Sequence, residues 1–184
     1  MLSGRILAAA RAEFAERGFA GTTLRGVART AGVDPALVYH YFGSKDGLLD
    51  SATDPPPRWL EMVAASWETP RAELGAQLMR TVLRSWTDDE IGPTLRAVIM
   101  TAAHEPRTRE KLGRVVTDGL IGTSTLGTDE ADRLRRSGLI ASQLIGFALL
   151  RFVWKIEPLA SMPEDEVIAA IAPNLQRYID TPAS

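Results

Sequence analysis

The chain has 184 residues and a net charge of −2, from 21 Lys and Arg against 23 Asp and Glu. This near balance excludes a protein that holds nucleic acid by bulk positive charge alone. The chain has no cysteine, which excludes disulfides and thiol chemistry and suits a cytoplasmic location. The longest apolar-rich stretch, residues 139–154, is interrupted by polar side chains, so we expect no membrane span.

Apolar residues recur at helical spacing from end to end, and the alternation typical of strands is rare, so the sequence predicts an all-α fold. The first helix is predicted over residues 3–17, with Ser3 as its cap and Gly18 as its end. A second helix begins after the capping residue Thr23 and stops at Gly32.

A third, short helix is predicted over residues 35–41, with Asp34 as its N-cap and Pro35 in its first turn, where a missing N–H costs nothing. Ser44 is expected to cap a fourth helix over residues 45–52.

The proline-rich run 54–57 is the clearest boundary in the chain and divides it into an N-terminal domain, residues 1–50, and a C-terminal domain, residues 51–184. Beyond the boundary the spacing predicts longer helices over residues 58–68, 71–86, 89–103, 106–120, 129–156 and 163–179. Breaks are expected between them, including one at Gly122–Gly127.

The second and third helices are joined by the tight turn Gly32-Val33-Asp34, a spacing typical of a helix-turn-helix. Ala28 is small enough to let the two helices approach closely, and Val33 fills the gap between them. The third helix can then present its polar side outward. The N-terminal domain is therefore predicted to be a three-helix DNA-binding domain.

Residues 6–49, ILAAARAEFAERGFAGTTLRGVARTAGVDPALVYHYFGSKDGLL, resemble the DNA-binding domain of tetracycline-repressor (TetR) family regulators. The matching elements are Phe14-Ala15, Gly18-Phe19, Thr22-Thr23-Leu24, Val27-Ala28, Ala31-Gly32-Val33, Tyr39-His40-Tyr41-Phe42 and Lys45. The rest of the chain is similar to the family's C-terminal half in length and helicity. The resemblance implies a helix-turn-helix domain followed by a larger helical domain for ligand binding and dimerisation.

The resemblance also implies contacts with DNA phosphates. Thr23, at a helix N-terminus, offers a hydroxyl and a backbone N–H where the helix dipole favours an anion. Tyr39 and Tyr41 supply phenolic donors suited to phosphate oxygens. Lys45 places a cation in the first turn of the fourth helix, which the dipole disfavours unless a phosphate lies nearby.

Five further residues are implied near base edges. Arg25 is suited to bidentate contact with guanine, and Ala36 or Leu37 to contact with a thymine methyl group. Pro35 and Leu37 offer no side-chain hydrogen bonds, so base reading is expected to depend on Arg25, His40, apolar contact and DNA shape.

Each of these residues also has an ordinary structural interpretation. A tyrosine in a short helix is commonly half-buried core with a wet hydroxyl, and this applies most to Tyr41. His40 and Lys45 taken alone are ordinary surface residues. Residues 1–50 hold six Lys and Arg against five Asp and Glu, so one copy should bind DNA weakly and a dimer more strongly.

The last two predicted helices favour a dimer. The stretch 139–153 is apolar on nearly every side, so it must be buried on several faces, and its small residues allow close approach by a partner helix. The resemblance implies a four-helix interface between two subunits, and the alternative is an intrachain core. The candidate interface residues are Leu139, Ser142, Gly146, Leu150, Ile168, Ile171 and Leu175.

The C-terminal domain holds all four tryptophans and several methionines, which suit a variable apolar ligand. Ordinary core packing is the alternative for each residue. The candidate ligand-binding residues are Trp59, Met62, Met79, Leu83, Met100, His104, Gln143, Phe147 and Arg151. Arg151 is expected to be a counter-ion in the pocket or an ion-pair partner at the interface, because an isolated buried charge is too costly.

Enzyme chemistry is not supported by any motif. The chain has no P-loop, HExxH or GxSxG motif, and its only histidines are His40 and His104, so we expect no cofactor, no metal and no enzymatic activity.

The sequence is therefore expected to encode a homodimeric repressor that binds a palindromic DNA operator and is released by an unidentified small apolar or amphipathic ligand. The alternatives are an activator or an effector-independent regulator of the same family, a helical ligand- or protein-binding module without DNA activity, and a helical enzyme with a carboxylate site.

Overall fold

The computed structural model describes residues 2–115, 126 and 129–181. These residues form helices and turns and no strand, which confirms the all-α prediction. The α-helices are α1 (Leu2–Gly21), α2 (Leu24–Ala31), α3 (Pro35–Phe42), α4 (Lys45–Ala52), α5 (Pro57–Ser66), α6 (Leu74–Thr87), α7 (Ile91–Ala102), α8 (Pro106–Arg114), α9 (Glu130–Ala148) and α10 (Glu164–Asp180). The predicted helix end at Leu120 and the predicted break at Gly122–Gly127, apart from Leu126, lie outside the described residues.

The N-terminal helices begin where their capping residues predict. Thr23, Asp34 and Ser44 each accept a hydrogen bond from a backbone N–H two or three residues later, at 2.7–3.0 Å. Gly32 closes α2 in the left-handed conformation, with φ of 63°. These four residues together confirm the predicted order of helix, turn and helix.

The first helix differs from its prediction at both ends. It begins at Leu2, so Ser3 lies in the first turn instead of capping it. Gly18 interrupts the helix, with φ of 66° and ψ of −179°, a conformation essentially restricted to glycine. A further turn then continues to Gly21, so Gly18 marks a kink in α1 instead of its end.

The chain folds into two compact units, and the first consists of the residues up to Pro56 together with Asp89–Leu112. In this unit α7 packs along α1. The first unit thus includes Asp89–Leu112, a segment of the predicted C-terminal domain, residues 51–184. Its buried apolar cluster, called the first core, contains Ile6, Ala9, Ala10, Phe14, Leu24, Val27, Ala28, Ala31, Val38, Leu48, Leu49 and Ala52.

The second unit consists of Pro57–Asp88 and the described residues from Gly113 onward. Its apolar cluster, called the second core, contains Trp67, Leu74, Leu78, Met79, Leu83, Leu126, Ile140, Leu144, Phe147, Val167, Ala172, Leu175 and Ile179. Helices α6 and α10 meet closely at Gly75, where an added Cβ would lie 2.5 Å from the Ala172 carbonyl oxygen. The absence of a side chain at Gly75 is what permits this approach.

Within the described residues, one helical stretch, Glu130–Val153, is long and apolar enough to cross a membrane by length and composition. It comprises α9 and the π-helical segment Leu149–Val153. The core helix of a protein outside membranes passes the same test, and α9 packs against α6 and α10. The stretch is therefore weak support for a membrane span.

Candidate nucleic-acid interface

Helix α3 exposes both of its tyrosines. The exposed fraction is 53% for Tyr39 and 48% for Tyr41. By contrast, Val38, in the middle of α3, is fully buried in the first core. The Tyr41 ring contacts its neighbour His40 edge-on, with centroids 5.5 Å apart. Both tyrosines thus lie outside the first core, and α3 is anchored through Val38 while it presents aromatic, hydrogen-bonding side chains to solvent.

Four of the five base-edge candidates lie on this helix. Ala36 and His40 are exposed, and Pro35 and Leu37 are half-buried. Asp34 fixes the start of the helix through its hydrogen bond to the Ala36 N–H. The exposed side of α3 therefore combines two phenols, an imidazole and a methyl group.

Helix α2 adds a hydroxyl and two cations. Thr23 is exposed, and because its Oγ accepts the Gly26 N–H at 3.0 Å, its hydroxyl proton remains able to donate to a ligand. Arg25 and Arg29 are exposed one helical turn apart, and neither guanidinium has a hydrogen bond or ion pair within the described part of the chain. Sequence reasoning named Arg25 and missed Arg29, although the spacing of four residues places both on one face.

Lys45 is half-buried, and its ammonium group lies over the end of α1. Its Nζ is 4.4 Å from the centroid of the Phe19 ring and 3.4 Å from the Ala20 carbonyl oxygen. A cation over an aromatic face is weakly stabilised there. The Lys45 charge is thus held at a defined place on the first unit, at the start of α4.

The C-terminal end of α4 is contacted by a cation from α1. Arg11 donates from Nε to the Ala52 carbonyl oxygen at 3.1 Å. Burial lowers the pKa of the Arg11 guanidinium, and the nearby Glu90 carboxylate acts in the opposite direction. A positive charge at this end of a helix is favoured by the helix dipole.

A second cation reaches the same end of α4 from α8. Lys111 donates from Nζ to the Asp50 carbonyl oxygen at 2.9 Å and lies 2.6 Å from the Asp54 carboxylate. Sequence reasoning missed both Arg11 and Lys111, because their partners lie 41 and 61 residues away and no local pattern marks such contacts.

The predicted ligand-binding residues are divided between the two units. Met79, Leu83 and Phe147 are buried together in the second core. Trp59 and Met62 are half-buried on α5, and the Trp59 indole donates to a serine hydroxyl of α6 at 3.1 Å.

Four predicted ligand-binding residues remain. Met100 is half-buried on α7 and His104 is exposed just after it, and both belong to the first unit. Gln143 is half-buried on α9. Arg151 donates to two loop carbonyl oxygens, those of Leu159 at 2.7 Å and Met162 at 2.8 Å. Its role as a counter-ion in the pocket or an ion-pair partner at the interface stays a prediction.

The predicted interface residues also differ in burial. Leu139, Ser142 and Leu150 are exposed on α9 and its π-helical continuation, and Gly146 is half-buried. Ile168 and Ile171 are partly buried against the second core. Leu175 is fully buried within its own unit, which leaves none of its surface for a partner.

Two family models match the chain. The model for bacterial regulatory proteins of the tetR family matches residues 6–52, and the model for the tetracyclin repressor-like C-terminal domain matches residues 72–179. The HTH-type transcriptional regulator BetI of Burkholderia thailandensis is 35% identical over 101 residues, covering 44% of this chain and 51% of the relative. The BetI regulator of Burkholderia mallei matches with the same identity and coverage. The chain spans about half the length of these curated relatives.

Solved structures extend the likeness over nearly the whole chain. The TetR-family regulator from Streptomyces coelicolor A3 is 31% identical with a TM-score of 0.68, over 98% of this chain and 95% of that one. The multidrug binding protein EbrR, complexed with imidazole, is 23% identical with a TM-score of 0.64, over 98% and 90%. The second likeness is one of fold.

The chain belongs to the TetR family of transcriptional regulators, and this confirms the resemblance carried by residues 6–49. Its N-terminal helix-turn-helix is a DNA-binding domain, and members of the family are regulators without enzymatic activity.

Proposed function

We propose that this TetR-family regulator is a homodimeric repressor that binds a palindromic operator and is released by a small apolar or amphipathic ligand bound in its C-terminal part. The observation that carries the DNA contacts is the exposure of Tyr39 and Tyr41 on a helix anchored by the buried Val38. Two solvent-exposed phenol groups on one short helix are suited to hydrogen bonds with phosphate oxygens and base edges.

The phosphate contacts of the proposal come from Thr23, Tyr39, Tyr41 and Lys45. Thr23 lies at the start of α2, where backbone N–H groups and the helix dipole favour an anion. Base edges are met by Arg25 and by the exposed side of α3, which consists of Pro35, Ala36, Leu37 and His40. Arg29 is added as a phosphate contact.

The homodimer is supported by the exposed face of α9 and its π-helical continuation. Leu134, Leu139 and Leu150 have exposed fractions of 44%, 38% and 39%. Gly138 and Gly146 lie on the same helix, and a Cβ added at either would meet no atom within 4 Å. Exposed leucines beside glycines suit a closely packed partner helix, and Ser142 and the partly buried Ile168 and Ile171 extend the set.

Release by a ligand is supported by the composition of the second core, where Met79, Leu83 and Phe147 lie together. The multidrug binding protein EbrR, which has the same fold, is complexed with imidazole. A repressor must have access to chromosomal DNA, so we propose a cytoplasmic location. Coupling of about 1–3 kcal/mol between ligand and operator would weaken operator binding roughly 5- to 150-fold.

The DNA contacts are tested by selecting bound fragments from random DNA with the full chain and measuring affinity by fluorescence anisotropy. We expect a palindromic consensus bound by two chains, and a loss of about tenfold per tyrosine in Tyr39→Phe and Tyr41→Phe. Tyr178→Phe, which changes the third tyrosine of the chain, is the matched control and should bind normally. Equal affinity for every oligonucleotide would overturn the proposal.

Repression and release are tested by transcription in vitro from a promoter that overlaps the selected operator. The protein should lower transcript levels, and a compound from a library that binds the protein should restore them. Higher transcript levels on addition of the protein would identify an activator instead. Unchanged operator affinity at saturating ligand would remove the release mechanism.

A further inference from the structure

Three buried polar atoms in the described residues of the second unit make no hydrogen bond: the indole Nε1 of Trp67, the hydroxyl oxygen of Ser137 and the guanidinium Nε of Arg133. Arg133 takes part in another interaction, which leaves Trp67 and Ser137 as the two side chains without a partner. Trp67 is 8% exposed and Ser137 is fully buried, so water does not readily reach either side chain. An unpaired buried polar group is costly, and most such groups in folded proteins have a partner.

Other buried polar side chains near Trp67 in the second unit have hydrogen-bond partners, in contrast to Trp67 and Ser137. The Trp59 indole donates to the Ser85 hydroxyl at 3.1 Å. The hydroxyls of Ser66 and Thr81 lie 2.6 Å apart and share a hydrogen bond. The packing of α5 against α6 therefore provides partners for the other buried polar side chains there, and leaves the Trp67 donor unmatched.

Trp67 belongs to the second core, together with Ile140, Leu144 and Phe147 of α9. Ser137 is fully buried one helical turn before Ile140, so it lies on the same face of α9 as Ile140 and Leu144. The indole donor thus lies in the second core, and the hydroxyl lies on the helix face that contributes to it.

The buried charges of the second unit limit which molecules could provide hydrogen-bond partners for Trp67 and Ser137. Among the described residues of the second unit, the one charged side chain that is buried is that of Arg136. Its guanidinium is paired with the Asp132 carboxylate and also donates to the Ile179 carbonyl oxygen. No buried carboxylate is left over for a cation in these residues, and an unpaired charge would pay a large desolvation cost.

We propose that the second core binds an uncharged, mainly apolar molecule that carries a hydrogen-bond acceptor such as a carbonyl oxygen. Trp67 donates its indole N–H to this acceptor, and the Ser137 hydroxyl supplies a second contact. The inference rests on the proposed function, because it names the chemistry of the ligand that the regulator takes. The adaptable thioether of Met79 lies in the same cluster and can adjust to the ligand.

The test uses two probes of nearly equal shape, 2-acetylnaphthalene and 2-ethylnaphthalene, of which the first alone has a carbonyl acceptor. Their affinities for the full chain are measured by isothermal titration calorimetry. In Trp67→Phe the ratio of the two affinities should fall about fivefold to tenfold, the value of one hydrogen bond. Trp154→Phe is the matched control and should keep the ratio, because the Trp154 side chain is 58% exposed and does not belong to the second core.

A second measurement uses the unaltered protein, so it does not depend on a substitution. In the ¹⁵N-labelled unaltered protein, the Trp67 indole N–H resonance should move downfield with 2-acetylnaphthalene and stay in place with 2-ethylnaphthalene. Failure of both probes to bind, an unchanged affinity ratio in Trp67→Phe, or equal resonance shifts with both probes would each overturn the inference.

Operator binding measured without probes separates this inference from the proposed function. If specific DNA is bound and the probes are not discriminated, the ligand chemistry is wrong and the regulator stands. If the probes are discriminated and no specific DNA is bound, the proposed function is wrong and the ligand site stands.

Discussion

Lys111 of α8 forms an ion pair with Asp54, which lies two residues beyond the end of α4, with 2.6 Å between the ammonium Nζ and the carboxylate Oδ1. The same ammonium donates to the Asp50 carbonyl oxygen inside α4. Arg11 donates to the carbonyl oxygen of Ala52, the last residue of α4. The helix that follows the exposed α3 is therefore fixed at its C-terminal end by cations from two other helices of the first unit.

Replacing Lys111 by Met should lower the free energy of unfolding by about 1 kcal/mol, because the hydrogen bond to the helix carbonyl is lost and the exposed Asp54 adds little. Operator affinity should fall as well, since α4 loses a fixed position beside α3. Urea unfolding followed by circular dichroism and anisotropy with the selected operator measure the two effects. Lys111→Arg retains the charge and should recover most of both; a Met variant with unchanged stability and affinity would contradict the role.

Gly75→Ala should destabilise the second unit by about 3 kcal/mol or more, since the new Cβ would lie 2.5 Å from the Ala172 carbonyl oxygen and the two helices would have to separate. Thermal unfolding measures this as a lower Tm. Gly4→Ala is the control, because an added Cβ there meets no atom within 4 Å. Equal melting temperatures for the two variants would show that α6 and α10 are not so tightly packed.

Ser142→Arg should convert the proposed dimer to monomers while helical content is preserved, because a long charged side chain would stand on the exposed face of α9. Analytical ultracentrifugation gives the assembly state, and operator affinity should fall together with it. Ala64→Arg, on the exposed side of α5, is the control and should leave the assembly unchanged. A Ser142→Arg protein that remains dimeric would place the interface elsewhere.

Lys45→Gln should reduce the salt dependence of operator binding, since each phosphate contact that is lost removes about 0.9 from the slope of log K against log salt. For two symmetric copies the slope should change by about 2. Tyr39→Phe removes a neutral donor and should weaken binding at every salt concentration with the slope retained. An unchanged slope in Lys45→Gln would mean that its ammonium serves the Phe19 ring and the Ala20 carbonyl, not a phosphate.

Local features of this fold could be predicted from the sequence, and contacts between distant segments could not. Thr23, Asp34 and Ser44 cap their helices because a capping side chain needs only a backbone N–H two or three residues later. By contrast, the partners of Arg151 became apparent only once the loop carbonyls were placed beside it.

In the candidate interface, too, some features could be predicted from the sequence and others depend on packing between distant segments. The exposure of Tyr39 and Tyr41 agrees with the phosphate contacts that the family resemblance implies for them. The kink at Gly18 was not foreseen, since a glycine can either end a helix or bend it, and the decision depends on the packing that follows. The assignment of Met100 and His104 to the first unit likewise follows from the packing of α7 along α1, which has no local signature.

The first unit is assembled from two stretches of chain, the residues up to Pro56 and Asp89–Leu112. A hybrid regulator made by grafting only the first stretch onto a foreign effector domain would leave the α7-facing side of α1 uncovered and α4 without its lysine. Transplanting operator specificity from this protein therefore requires both stretches, or a recipient whose own counterpart of α7 and α8 fits them.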